Sequence, residues 1–189
     1  ERSAGSNPLD ARSKPRRETL VIRSGFSPVT ARDCSQQTFR PVAKVGKGET
    51  WDLIPDTSWI QPSPTSQGHP CAVYRATFEL PEVFQTPAFR LESFVDGTMI
   101  VELNGKRLSS FGGFQHPPGT AATSDATSFL NGENELILRF QSDGGGDGMD
   151  FRAFVSYVPE SDFRRGDVNR DGRINIVDPV AILNFLFST

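Results

Sequence analysis

Apolar and polar residues alternate along much of the chain between residues 19 and 158, and strict alternation is typical of strands that bury one face. The segment CAVYRATFEL (71–80) shows this most clearly, because Tyr74, Phe78 and Leu80 fall on one side and polar or charged residues on the other. Further short strands are predicted over residues 19–23, 89–95, 99–103, 136–140 and 151–158. The pattern therefore predicts an all-β chain up to about residue 158.

Turn residues separate these segments at short intervals. The dipeptide Asn104-Gly105 follows an alternating run, and both residues tolerate the positive φ angles of a two-residue hairpin turn. A second turn is predicted at residues 131–134. Seven or eight short strands with no helix between them favour a β-sandwich.

Composition changes this picture little, but it excludes some classes of function. The 189 residues carry a formal net charge of −3, so no overall positive field would recruit nucleic acid or an anionic membrane. No apolar run is long enough to cross a bilayer, and we expect no membrane span.

The two cysteines, Cys34 and Cys71, are not spaced as a zinc site. We interpret them as a disulfide rather than two free thiols, which indicates an extracellular or cell-surface protein.

Several segments in the middle of the chain resemble, in order and spacing, those of galactose-binding-like β-sandwiches. They are SWIQP (58–62), YRATFELP (74–81), VELNGK (101–106), FGGF (111–114) and FLNGENEL (129–136). Carbohydrate-binding modules and accessory domains of glycoside hydrolases have this fold, and so do structural spacers and adhesion modules. The resemblance therefore implies a fold, the jelly-roll β-sandwich, more strongly than a function. It also implies that Trp59, the tryptophan of SWIQP, packs in the core rather than on the surface.

A sugar site on such a sandwich requires an exposed aromatic ring beside planar polar side chains. The sequence offers Trp51 and the loop residues Phe114, Gln115 and His116 as candidates. The alternative, in which the loop is merely packed, is favoured because no cluster of aromatic and polar residues stands out.

Other acidic residues could serve a metal ion or catalysis. Asp143, Asp147 and Asp150 could hold a second calcium ion, although a flexible hairpin loop is favoured. Asp96 and Glu102 could form the pair of carboxylates that glycoside hydrolysis needs, but nothing in the sequence places them in one cleft. We therefore expect a protein that is not an enzyme.

The segment GDVNRDGRINIVD (166–178) places oxygen-bearing residues at alternate positions around one glycine. Counted from Asp167, loop positions 1, 3, 5, 7, 9 and 12 are Asp167, Asn169, Asp171, Arg173, Asn175 and Asp178, with Arg173 supplying its backbone carbonyl. This is the spacing of an EF-hand loop, in which a glycine at position 6 allows the sharp turn. The sequence therefore predicts a Ca²⁺ site.

An aspartate rather than a glutamate at position 12, and the lack of a preceding helix, make residues 166–187 resemble one type I dockerin repeat. Dockerins bind cohesin modules in extracellular assemblies, and they usually contain two such repeats where this chain has one. The resemblance implies that Ile176 and Val177, at loop positions 10 and 11, help to select a partner.

A short helix is predicted to begin at Asp178-Pro179, with proline at the first helical position. Its residues are apolar on every side except at Asn184, and such a helix needs more than one apolar neighbour. Candidate contacts with a protein partner or a second copy are Val180, Leu183, Phe185, Leu186 and Phe187.

These observations divide the chain into an extended N-terminal arm (1–18), a galactose-binding-like β-sandwich (19–160) and a dockerin-like calcium loop and helix (161–189). The main hypothesis is a non-catalytic, extracellular, calcium-binding assembly protein that is joined to its neighbours through the C-terminal helix. The alternative is a carbohydrate-binding accessory module of a polysaccharide-degrading system.

Overall fold

The computed structural model of the chain describes residues 17–46, 52–63, 71–113, 117–142, 148–159 and 175–187. Its elements are β1 (Glu18–Arg23), β2 (Val29–Asp33), β3 (Arg40–Pro41), β4 (Ala43–Lys44), β5 (Ile60–Gln61), β6 (Cys71–Leu80), β7 (Phe84–Leu103), β8 (Lys106–Gly113), β9 (Gly119–Thr123), β10 (Gly132–Gln141), β11 (Met149–Pro159) and α1 (Val177–Phe187). Two compact units are present. One spans Arg17–Val158, and the other includes α1.

The long strand β7 runs through both layers of β structure. Its first half pairs with β9 and its second half with β8 and β10, with an irregular register between the halves. At this point Gly97 has a φ of +132°, and a Cβ atom there would lie 2.2 Å from the carbonyl oxygen of Gln141. The alternation pattern predicted two separate strands. The structure has one, because a residue without a side chain lets the backbone bend sharply without ending the strand.

The strands follow the order β3-β2-β6-β10-β7-β11-β5-β4, with β8 and β9 also paired to β7 and β1 paired to β11. The apolar sides of the alternating strands form one core, in which Tyr74, Leu91, Val101 and Phe151 are fully buried. A smaller apolar cluster contains Trp59, which is 1% exposed. The structure therefore confirms an all-β sandwich with a short C-terminal helix, and it confirms Trp59 as a core residue.

Three of the eleven strands in the described part of the chain are only two residues long, and these were not predicted. Two-residue strands have no periodicity for a sequence pattern to reveal. They matter for the site, because β3 pairs with β2 and β4 pairs with β5, at opposite ends of the strand order. Residues 40–44 therefore join the two ends of this strand order at the edge of the sandwich.

Two local predictions are confirmed by backbone geometry. Asn104 and Gly105 have φ angles of +50° and +78°, as the hairpin turn requires. Cys34 and Cys71 form a disulfide with their Cα atoms 5.6 Å apart.

The first strand begins at Glu18, one residue earlier than predicted. Glu18 pairs with Tyr157 in the β1–β11 ladder, and the Tyr157 hydroxyl also donates a hydrogen bond to Glu18 Oε2 at 2.6 Å. This bond is the main reason that the pKa of Tyr157 is raised.

Candidate functional site

The turn between β2 and β3 is fixed by an unusual number of restraints for an exposed loop. The backbone N–H and the hydroxyl of Ser35 both donate to Asp33 Oδ1 at 2.8 Å, and the Gln36 N–H donates to the Asp33 carbonyl at 2.9 Å. The Arg32 guanidinium donates to the Gln36 carbonyl at 2.6 Å. The disulfide at Cys34 adds a covalent link to β6. Both backbone polar groups of Gln36 are thus engaged, which fixes where its side chain starts.

The far side of the turn is held by stacked cations. The Cζ atom of Arg75 lies 4.5 Å from the centroid of the Phe39 ring, and that of Arg32 lies 5.3 Å from it. Cation–π contacts of this kind contribute about 0.5–1 kcal/mol each at exposed sites. They position Arg40, which follows Phe39 directly and pairs with Ala31 across the β2–β3 ladder.

A cleft of about 250 Å³ lies beside this turn, at the edge of the sandwich where residues 40–44 join the ends of the strand order. Its polar lining comes from Asp33, Gln36, Arg40 and Ser63, and its apolar lining from Ala31, Pro41 and Pro62. Ala31 is 1% exposed and forms the floor. The cleft therefore combines two prolines with charged, amide and hydroxyl groups.

Two of the lining side chains are not used by the fold. Within the described part of the chain, neither the Gln36 amide nor the Arg40 guanidinium has a hydrogen bond or ion pair, although both backbones are held. Side chains that are positioned but unpaired can bind a ligand without first losing an internal partner. We therefore take this cleft as the candidate functional site.

No sequence pattern singled out Gln36 and Arg40. They lie in SQQTFRP (35–41), a polar stretch without periodicity. The available signal was its position next to Cys34, since a predicted disulfide indicates a turn that is held in place.

A larger depression of about 380 Å³ lies at the hairpin end of the sandwich, lined by Asn104, Leu130, Glu133, Asn134 and Glu135. Its amides serve the fold. The Asn104 amide group donates to the Ser128 carbonyl and to Asn134 Oδ1, and the Asn134 amide group donates to backbone carbonyls of its own turn. Because these groups are already paired with one another, we assign this depression a structural role.

Asp150 is the most strongly buried carboxylate of the described residues, and it anchors the loop at residues 52–59. Its oxygens accept hydrogen bonds from the Ile54 N–H at 2.7 Å, the Thr57 hydroxyl at 2.9 Å and the Phe94 N–H at 3.2 Å. Burial raises the pKa of Asp150, and the hydrogen bonds oppose this shift. The sequence analysis gave Asp150, together with Asp143 and Asp147, as a possible calcium ligand but favoured a flexible hairpin loop. Asp150 lies in β11 and not in a loop, and its oxygens accept from the three donors named above. Asp143 and Asp147 are outside the described residues.

The candidate sugar residues Trp51, Phe114, Gln115 and His116 also lie outside the described part of the chain. Asp96 and Glu102 are both on β7, on opposite sides of the irregular register at Gly97. The single Nε–H of Arg139 lies 3.0 Å from both carboxylate oxygens of Glu102 and donates a bifurcated hydrogen bond to them.

Two of the six predicted calcium ligands, Asn175 and Asp178, are described. The Val177 N–H donates to Asn175 Oδ1 at 2.7 Å, and the Asn175 N–H donates to Asp178 Oδ2 at 2.8 Å. This reciprocal arrangement caps the helix, which consequently begins at Val177 instead of Asp178 and holds Pro179 within its first turn. The carboxylate of Asp178 thus bonds back to Asn175, which occupies loop position 9. Asp167, Asn169, Asp171 and Arg173 lie outside the described residues, and the site stays a prediction.

Helix α1 leaves most of its large apolar side chains exposed. The exposed fractions are 77% for Ile176, 50% for Val177, 45% for Val180, 53% for Leu183, 57% for Leu186 and 75% for Phe187. The side chain of Phe185 is outside the described set. At eleven residues, α1 is too short to span a membrane, and no other described segment is a candidate.

No protein-family model matches the chain, and no curated protein is similar to it. Solved structures with partial similarity include an FMN-binding β-glucuronidase from Facaelibacterium prausnitzii L2-6 (17% identity, TM-score 0.42, 74% of this chain and 23% of that one). A Ruminococcus gnavus β-glucuronidase is 14% identical, with a TM-score of 0.45, and the match covers 81% of this chain and 30% of that one. A glycosyl hydrolase family 2 member from Bacteroides cellulosilyticus DSM 14838 is 13% identical, with a TM-score of 0.47, and the match covers 71% of this chain and 20% of that one. The chain spans less than a third of the length of each of these proteins. The fold assignment above rests on the strand pairing and not on these similarities.

Proposed function

We propose that this chain is a non-catalytic, secreted accessory module that binds carbohydrate in the cleft beside the β2–β3 turn. The observation that carries the proposal is the fixed turn with two unused planar side chains, Gln36 and Arg40, at its cleft. Sugars present vicinal hydroxyls that amides, guanidinium groups and carboxylates recognise in pairs. The disulfide supports an oxidising compartment.

The dimensions of the cleft favour one sugar unit. Pockets for drug-sized ligands measure about 300–1,000 Å³, and this cleft of about 250 Å³ lies just below that range. Its apolar surfaces, Pro41 and Pro62, could contact the C–H groups of a pyranose ring while the polar groups meet its hydroxyls. A terminal unit, or one unit of a chain that lies along the surface, fits such a shallow site.

Binding to an array of neutral and acidic polysaccharides tests the proposal. The full chain, with its disulfide intact, should bind at least one class, and the Gln36→Ala variant should bind it more weakly. The Arg107→Gln variant is the matched control, since Arg107 is an exposed residue on β8, away from the cleft. Absence of binding across the array, or binding that Gln36→Ala leaves unchanged, would contradict a sugar site here.

A second candidate function is attachment to a protein through α1. It is favoured by the six large apolar side chains that α1 and the preceding residue, Ile176, expose. Exposed apolar clusters of this kind mark interaction sites in soluble proteins. The predicted Ca²⁺ loop would order the start of this helix.

Light scattering of the full chain with and without a chelator tests the attachment role. Leu183→Glu should abolish a calcium-dependent association, whereas Val83→Glu should not, because Val83 is an equally exposed apolar residue of the sandwich unit. A monomer under all conditions would leave self-association without support, and association that survives Leu183→Glu would exclude α1 as the contact.

A further inference from the structure

We infer that the unit bound in the cleft is an acidic sugar, with its carboxylate on Arg40 and its ring hydroxyls on Gln36 and Asp33. This inference rests on the proposed carbohydrate-binding function and adds the chemical class of the ligand. It is carried by the charges around the β2–β3 turn, which differ in sign from those of the chain as a whole.

The turn concentrates positive charge on an acidic protein. The chain has a net charge of −3, yet Arg32, Arg40 and Arg75 lie on or against this one turn. Arg32 and Arg75 are committed, because both stack on Phe39 and Arg32 also holds the Gln36 carbonyl. Arg40 is the one of the three with an uncommitted guanidinium, and it is the one that lines the cleft. Arg75 also forms an ion pair with Glu135 at 3.8 Å, which offsets its charge, so Arg32 is the committed arginine that adds to the positive potential of the turn.

The geometry of a guanidinium group favours a carboxylate as its partner. Two parallel N–H groups match the two oxygens of a carboxylate, and such forked pairs combine strength with orientation. A neutral sugar could accept hydrogen bonds from Arg40, but it would gain nothing from the charge. An acidic sugar gains both the hydrogen bonds and the attraction between opposite charges.

Asp33 separates an acidic sugar from a simple anion such as phosphate. Its carboxylate also lines the cleft, with Oδ1 accepting from Ser35, and it would repel a dianion more strongly than a monoanion. A uronic acid carries one negative charge and several hydroxyl donors on the same ring. The lining of the cleft likewise combines one cation, Arg40, with acceptors of hydroxyl donors and two prolines.

The test compares sugars that differ in a single group. Methyl glucuronide and methyl galacturonide, each against its neutral methyl glycoside, are titrated into the isotope-labelled full chain and followed by the amide resonances of Ala31, Gln36 and Arg40. Inorganic phosphate is titrated in parallel. We expect the uronides to shift these resonances at least tenfold more tightly than the neutral glycosides, and added salt to weaken only the uronides.

Variants then assign the carboxylate contact. Arg40→Gln should weaken uronide binding at least tenfold and leave the weak binding of the neutral glycosides unchanged, whereas Arg107→Gln should change neither. Equal binding of neutral and acidic sugars would overturn the inference that the ligand is acidic, and the proposed carbohydrate-binding function would remain. Phosphate that binds as tightly as the uronides would overturn the inference in favour of a general anion site. If no probe shifts the cleft resonances and no polysaccharide binds, both the inference and the proposed function fail.

Discussion

Replacing Asp150 by asparagine tests whether a buried charge or its hydrogen bonds dominate the anchor of the 52–59 loop. The side chain is fully buried and faces three donors. Asparagine keeps one acceptor oxygen but puts an NH₂ group where the other oxygen was. Whichever way it is turned, the NH₂ group faces a backbone N–H, of Ile54 or of Phe94, and that N–H loses its partner. A buried donor left unpaired costs about 1–3 kcal/mol, so the melting temperature should fall by roughly 3–9 °C.

The pH dependence of this loss separates the two physical effects. Burial raises the pKa of Asp150 from its usual value of 3.8, so the fold favours the protonated form. This contribution to stability is fully present below the ordinary pKa and is lost as the pH rises through the folded-state pKa. Because asparagine does not titrate, the stability gap between the wild type and Asp150→Asn should widen as the pH is lowered from 7 toward 4.

Asp125→Asn provides a control of opposite sign. The hydrogen bond from Lys106, with those from Thr127, lowers the pKa of Asp125 to about 2. Its contribution is present above the ordinary pKa and is lost as the pH falls through the folded-state value, so the Asp125→Asn gap should narrow on acidification. Urea unfolding at a series of pH values measures both gaps. A gap for Asp150→Asn that narrows in acid would refute the reasoning, because it would mean that the three hydrogen bonds outweigh the cost of burial.

Three further variants test the framework of the sandwich. Replacing both Cys34 and Cys71, which are 37 residues apart, by serine should lower the free energy of unfolding by about 4 kcal/mol on the chain-entropy model. Urea unfolding measures this loss. An unchanged free energy would mean that the disulfide does not constrain the unfolded chain. Asn104→Ala should cost about 2–3 kcal/mol in the same assay, because three hydrogen bonds of 2.8–2.9 Å are lost at a residue with positive φ. Gly97→Ala should cost at least about 3 kcal/mol, since its Cβ would lie 2.2 Å from a backbone oxygen, and a melting temperature within 2 °C of the wild type would contradict the rigid kink in β7.

Alternation predicts most of the sandwich because each long strand buries one face. The run from Tyr74 to Leu80 alternates in the structure as it does in the sequence. The pattern fails where both faces are covered. Phe94 lies between Ser93 and Val95, and all three are buried, because the anchored 52–59 loop covers the side of β7 that alternation assigns to solvent. A loop that supplies a second apolar cluster leaves no periodic signal in the strand that it covers.

The candidate site was missed for a related reason. We identified the cleft by two polar side chains that have no internal partner in the described part of the chain. Whether a side chain has a partner depends on residues that are distant in sequence. Arg32, Arg40 and Arg75 are alike in the sequence. Two of them stack on Phe39, and the third does not, which follows only from the pairing of β2 with both β3 and β6.

The proposed function requires a surface turn that is rigid enough to select a ligand, and the disulfide contributes to that rigidity. Cys71 is the first residue of β6, and β6 lies between β2 and β10 in the strand order, so the link from Cys34 ties the turn to the middle of the sheet. Ordering a flexible side chain and its loop on binding costs about 0.5–1.5 kcal/mol per immobilised side chain, and the backbone adds to this. The turn is already fixed by the disulfide at Cys34, the Asp33–Ser35 contacts and the stacked arginines. The free energy of ordering it is therefore spent when the protein folds and not when a ligand binds. A shallow cleft with few contacts can then retain a ligand that a mobile turn of the same composition would not.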